Sequence, residues 1–259
     1  MTGNYPRKFR PVLLAALLLA GLAACAAPAR TAVAPTPTPV APARPVTVTF
    51  VASTELGQQP DYTLTTETPA LEGVPAGQAA VFNADMAALI QSQGTDFKKS
   101  VQELSVPELG MGSSYLDQHV SLVSVVGNVV SLRLVTEAYI ASAAHPYHIF
   151  TSYSFDLSSG RALGLAGLFL PGADYLQAIA DYCMAQLSSL HLAGDIFAQG
   201  ADPTAENYRV WNLTADGLLI TFNEYQVAPY ASGAPTVVVP YAELKGLIDP
   251  QGPLAAFVP

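Results

Sequence analysis

Cysteine is nearly absent: the 259-residue chain holds Cys25 and Cys183 and no other. That excludes a disulfide framework and a Cys-based metal cluster. Charge is scarce too, at 12% of residues, and one-sided, with 11 Lys+Arg against 20 Asp+Glu. Such a balance argues against any nucleic-acid partner and against adhesion to anionic lipid by surface charge. No apolar run reaches the ~18–20 residues that a spanning helix needs. Nothing matches Gly-x-Ser-x-Gly, His-Glu-x-x-His or a phosphate-cradling glycine loop, so we expect a non-enzymatic protein with no catalytic residues, no cofactor and no metal.

What is present begins with an export signal. Arg7, Lys8 and Arg10 precede the apolar stretch 11–22, which ends in Leu22-Ala23-Ala24-Cys25. The stretch falls within the ~7–15 residues of a signal's apolar segment and is too short to span a bilayer. Its end resembles the bacterial lipobox, in which small residues fit the signal peptidase and the Cys thiol accepts lipid. We therefore expect a signal peptide over 1–24, lipid attachment at Cys25 and an extracytoplasmic lipoprotein of the cell membrane or outer membrane. Ala26 rather than Asp follows the Cys, the general pattern for outer-membrane sorting where a cell has two membranes. Residues 26–45 carry Pro at 28, 35, 37, 39, 42 and 45 and no apolar periodicity. They read as an extended tether. Losing the signal removes three basic residues and no acidic one, leaving 8 against 20 and a charge of −12. Cys183 is then a lone thiol on an apolar helical face, expected to be a small buried hydrophobe.

Residues 46–259 are enough for one large domain or two small, intimately packed ones, with an adequate core and a monomeric state. Strand-period alternation marks 46–50 and 62–66, and β-rich runs cover 119–126, 129–140, 147–157, 208–213, 218–222 and 236–239. Gly127-Asn128 and Ala215-Asp216-Gly217 are hairpin turns. A helical period spans 77–104, with Val81, Phe82, Met86, Leu89, Ile90, Phe97, Val101 and Leu104 inward and Gly94 as an interruption. A second helix is expected over 173–192, with Leu176, Ile179, Ala180, Cys183, Leu187 and Leu190 on one face, and a short one over 241–248. Blocks of strands and helices without strict alternation imply an α+β fold, an antiparallel sheet packed against two main helices.

Two stretches carry a family resemblance. The first is Ser142-Ala-Ala-His145-Pro146, Thr151-Ser-Tyr-Ser-Phe155-Asp156-Leu157-Ser-Ser-Gly160-Arg and Leu168-Phe169. The second is Phe222-Asn-Glu-Tyr225-Gln-Val-Ala-Pro-Tyr230-Ala-Ser-Gly233 with Val239-Pro240-Tyr241. Together they are similar to an extracytoplasmic domain shared by the anti-sigma factor RsiV and the N-terminal part of the peptidoglycan deacetylase PdaC, over about 55–250. Residues 46–140 and 141–250 would be its two parts. The resemblance implies a binding role, since in RsiV this domain is the sensor that binds lysozyme and in PdaC catalysis lies elsewhere. Ser142-Ala143 departs from the family's Gly pair, which bears on the local backbone because Gly pairs permit positive φ.

The residues themselves leave several readings. His145 and His148 stand three apart but lack further ligands, and read as hydrogen-bonding residues of a turn. Asp156 is expected to cap its own turn. Glu224 and Asp216, the one carboxylate pair considered for acid–base work, look solvated. Tyr225, Pro229 and Tyr230 are the candidate partner-binding residues, as aromatics on a rigid Pro/Gly loop, with Tyr230 expected to be the most exposed; such aromatics, Tyr241 included, serve equally as corner packing. The expected function is a tethered binding or sensor lipoprotein recognising a basic protein such as lysozyme, or peptidoglycan. The alternatives are a structural envelope lipoprotein and an accessory to a cell-wall hydrolase or deacetylase.

Overall fold

The computed structural model describes residues 45–104 and 112–257. The signal, Cys25 and the tether up to residue 44 lie outside the described residues. The domain opens with a hairpin, β1 (Thr47–Gln58) and β2 (Asp61–Glu72), paired without a break from Thr47↔Glu72 to Gln58↔Asp61. Both strands outrun the alternating segments that announced them, because ladder hydrogen bonds carry Ser, Thr and Ala through positions without an apolar pattern.

Helix α1 (Ala76–Leu104) follows, burying Phe82, Met86, Ile90, Gly94, Phe97 and Val101 as one stripe. Gly94 does not interrupt it. A Cβ there would stand 3.1 Å from Leu64 Cδ1, so the glycine lets α1 lie close on β2. Val81 and Leu104, expected inward, are exposed: the buried stripe begins at Phe82 and ends at Val101.

The helix is a crossover, and the strand after it, β3 (Ser114–Val126), pairs parallel to β2 from Tyr62↔Ser114 to Thr66↔Gln118. This parallel pair was not part of the antiparallel expectation; a connection as long as α1 permits it. β4 (Val129–Tyr139), β5 (Tyr147–Asp156) and β6 (Arg161–Ala162) continue antiparallel, in the order β1-β2-β3-β4-β5-β6. Gly127, at φ +56°, turns the β3–β4 hairpin as the sequence indicated. Asp156 caps the β5–β6 turn by accepting from Ser158 N at 2.8 Å and Ser159 N at 3.2 Å.

The rest builds a second layer from α2 (Tyr175–Leu187), the antiparallel sheet β7 (Trp211–Leu213), β8 (Leu218–Thr221) and β9 (Thr236–Val239), and the short α3 (Tyr241–Leu244). Helix α2 buries Ile179, Ala180, Cys183 and Leu187, and Leu190 lies beyond its end, exposed. The sheet β1–β6 is thus covered on both sides. Toward α1, Val130, Leu132, Leu134 and Phe155 pack with Phe82, Met86 and Ile90. On the other side Val126 and Val129 join the larger core with α2 and β7–β9.

Candidate functional site

Strand alternation sends Leu116, Gln118 and Ala138 toward α1, so Tyr115, Asp117 and Glu137 stand on the opposite face. The register sets Glu137 beside Asp117 on β3 and His148 on β5. The loop after β8 closes over this row. Glu224, its side chain 10% exposed, takes His148 Nδ1 at 2.7 Å, and His148 Nε2 lies 3.6 Å from Glu137. The other Glu224 oxygen accepts His148 N at 3.1 Å, and Asn223 Oδ1 accepts Phe150 N at 2.8 Å. These bonds satisfy the outer edge of β5 where it has no strand neighbour. Tyr115 donates to Glu137 at 2.8 Å, and that bond, with the adjacent negative charge, pushes the phenol up to about 12. Asp117 engages His119 at 2.9 Å. Each carboxylate of the row therefore has a protein partner, and the row serves as a frame.

The frame carries a column of rings. Tyr225, 56% exposed, lies 5.6 Å from Tyr230, whose other side meets His145 at 4.3 Å. Tyr230 donates its hydroxyl to Pro146 O at 3.1 Å, fixing the loop after β8 to the loop before β5. Backbone strain converges here. Among the described residues the non-glycine positions with positive φ are Ser142 (+85°) and Tyr225 (+63°), one in each loop. Such conformations cost of order 1–3 kcal/mol each and persist where surrounding contacts over-determine them. Ser142 answers the question raised by the missing Gly pair: it takes the left-handed conformation that glycine would take.

The three partner-binding candidates thus lie in one loop with distinct placements. Tyr225 is the outermost ring. Tyr230 is half-buried, contrary to the expectation that it would be most exposed, because its two faces and its hydroxyl are engaged. Pro229 is half-buried beside Gly194, where an added Cβ would meet its ring at 3.2 Å. Tyr241 is corner packing, buried with its hydroxyl on Thr214 O at 2.8 Å. Glu224 is neither solvated nor paired with Asp216, which sits exposed in the β7–β8 turn. The histidines separate: His145 stays in the turn with Nδ1 2.7 Å from Pro146 O, while His148 belongs to β5. No group of three or more His, Cys, Asp or Glu among the described residues is arranged for a metal ion. Tyr115, Asp117 and Glu137 were not anticipated; the available signal was the polar set Ser131, Arg133 and Glu137 on one face of β4, whose other face is apolar but for Thr136.

Residues 166–242 match the family described as "Protein of unknown function (DUF3298)". This match takes in α2, β7–β9 and the Tyr225–Tyr230 loop, while Tyr115, Glu137, His145 and His148 lie upstream of it. No curated protein sequence matches the chain. Among solved structures, a DUF3298 family protein from Pseudomonas aeruginosa PAO1 superposes with a TM-score of 0.54 at 16% identity, covering 84% of this chain and 98% of that one. A DUF3298 member from Bacteroides fragilis gives 0.55 at 18% identity, covering 82% and 96%. The chain therefore carries a DUF3298 domain match within a fold shared with DUF3298 family proteins.

Proposed function

We propose that this protein is a non-enzymatic binding or sensor lipoprotein, held outside the cytoplasm by lipid on Cys25, that recognises a protein through the Tyr225–Tyr230–His145 column. The carrying observation is the column itself: an exposed tyrosine on a strained backbone, braced by a second ring and by the His148–Glu224 frame. Aromatics so fixed bury large area at little further entropic cost. The export signal and lipobox support the location, and among the described residues no helix is long and apolar enough to cross a membrane. The resemblance to the RsiV and PdaC domain supports a basic, lysozyme-like partner, and the charge of −12 after signal removal suits one by steering.

Titration of lysozyme against the full-length lipoprotein in detergent, at low salt and at ~0.15 M, is the test. Binding should weaken but persist at the higher salt, and Tyr225→Ala should cost ~1–3 kcal/mol of affinity with the fold intact. Binding lost altogether at ~0.15 M would be unspecific charge pairing. Unchanged affinity in a folded Tyr225→Ala variant would remove the column from the interface.

A further inference from the structure

The edges of the six-stranded sheet are treated unequally. At one end β6 is two residues long, and the β5 edge beyond it is capped by Asn223 and Glu224. The outer strands of the small sheet, β7 and β9, have three and four residues, and Pro240 follows β9. β1 differs from all of these. It runs for 12 residues, is exposed at ten of them, and holds unbroken register with β2. No described element lies on its outer side. Sequences that guard an edge place Lys, Pro or a bulge there. Residues 47–58 contain no Lys, Arg or Pro, and their single charge, Glu55, is engaged by Lys98 at 3.1 Å and Tyr62 at 2.7 Å. Phe50, Val51 and Leu56 stand exposed along the strand, at 43%, 63% and 72%.

We propose that β1 pairs antiparallel with β1 of a second copy of this chain, about a two-fold axis at Ala52, joining two sheets edge to edge. Pairing about Ala52 sets Thr47 opposite Gly57 and Glu55 opposite Thr49, so no like charges face each other. The contact is isologous and closes on itself, because the far edge offers only β6. The ladder, residues 47–57, would be about 36 Å long at ~3.3 Å per residue. The two chains would enter β1 at its opposite ends, and the Pro-rich residues upstream, if extended at ~3.1 Å each, would let both reach one membrane. Edge pairing alone buries modest area, and anchoring in a shared plane raises the effective concentration that it needs. The proposal departs from the monomer expected from sequence. The pairing follows from β1; the concentration argument alone rests on the lipid tether.

The test places single cysteines at Val51, Ala52, Ser53 and Thr54 in the full-length lipoprotein in its membrane and applies a short bis-maleimide. Cys183 is buried and the Cys25 thiol is expected to be acylated. A cross-linked homodimer should form at these positions, and a cysteine at exposed Ser188 should give none. Adding Val51→Lys, which sets lysines from both copies near the axis, should lower the dimer at least about tenfold while the thermal transition is retained. Absence of cross-linking, equal cross-linking at Ser188, insensitivity to Val51→Lys, or adducts only with other proteins would each overturn the pairing. Should the protein fractionate away from membranes, the tether reading fails, and sedimentation of the soluble protein at raised concentration decides: a dimer sensitive to Val51→Lys supports the pairing, and a monomer overturns it.

Discussion

Toward α1, the six-stranded sheet presents Val130, Leu132, Leu134 and Phe155; toward the second layer it presents Ser131, Arg133, Glu137, Phe150 and Ser152. The first face is held by contact of apolar surface, with Phe82 set edge-on to Tyr153 and Phe155 at 5.5 and 5.6 Å. The second is held largely by directional bonds. Asn212 donates to Ser131 Oγ at 3.0 Å and to Leu132 O at 2.7 Å, Trp211 N donates to Ser152 Oγ at 3.1 Å, and Arg133 reaches Thr221 at 3.0 Å while lying 5.5 Å over the Phe150 ring. Apolar burial is roughly proportional to area and tolerates small displacements, whereas a hydrogen bond fails within a fraction of an ångström. Apolar contact with α1 dominates the first face, and the polar positions of the second set the register in which the loop after β8 meets β5, beside the larger core of the second layer.

Truncation on the apolar side should break the protein most. Phe82→Ala removes a fully buried ring and should cost ~3–5 kcal/mol, read as a lower denaturant midpoint at unchanged slope. On the polar side Asn212→Ala takes a buried donor from Leu132 O, while Ser131 keeps Ser154 Oγ and Leu213 N, and should cost ~1–3 kcal/mol. If its loss equals that of Phe82→Ala, the division of labour between the faces is mistaken.

Alkali probes the second layer separately. Burial pushes the Cys183 thiol up to about 12 from 9.0, and Tyr241 up to about 12 from 10.0. Groups raised in the folded state stabilise fully below their unfolded values, and that stability is lost as pH climbs through the window between the two. Thermal midpoints should therefore hold to pH ~9 and then fall, with Cys183 accounting for roughly 1 kcal/mol by pH ~10. Cys183→Ala should remove that part of the slope, and its thiol should resist aromatic disulfide reagents until the chain unfolds. The smallest effect belongs to Tyr225→Ala, whose stability should stay within ~0.5 kcal/mol of the parent in urea, since the ring is exposed and its loss opens no cavity. A larger drop would make the column structural.

The helical stripe of α1, the β3–β4 and β7–β8 hairpins, the Asp156 turn and the burial of Cys183 were legible in the sequence. Each depends on neighbours within a turn or two, where periodicity and turn chemistry act directly. The mistakes share the opposite property. Gly94 reads locally as a breaker and is kept in the helix by the closeness of Leu64, some thirty residues earlier. Tyr230 reads as a loop tip and is covered by His145 and Tyr225, the former from a loop that only the sheet brings near.

Acidity and the α+β class were decided by the residues themselves, because composition and hydrophobic periods need no tertiary contact, and the exported, tethered placement that we propose rests on the same kind of local pattern. The parallel pairing of β2 with β3, the assembly of Tyr115, Glu137, His148 and Glu224, and the unguarded length of β1 were decided only by the tertiary structure. Those features arise when strands distant in sequence come into register, and no local preference encodes which polar side chains will then face one another.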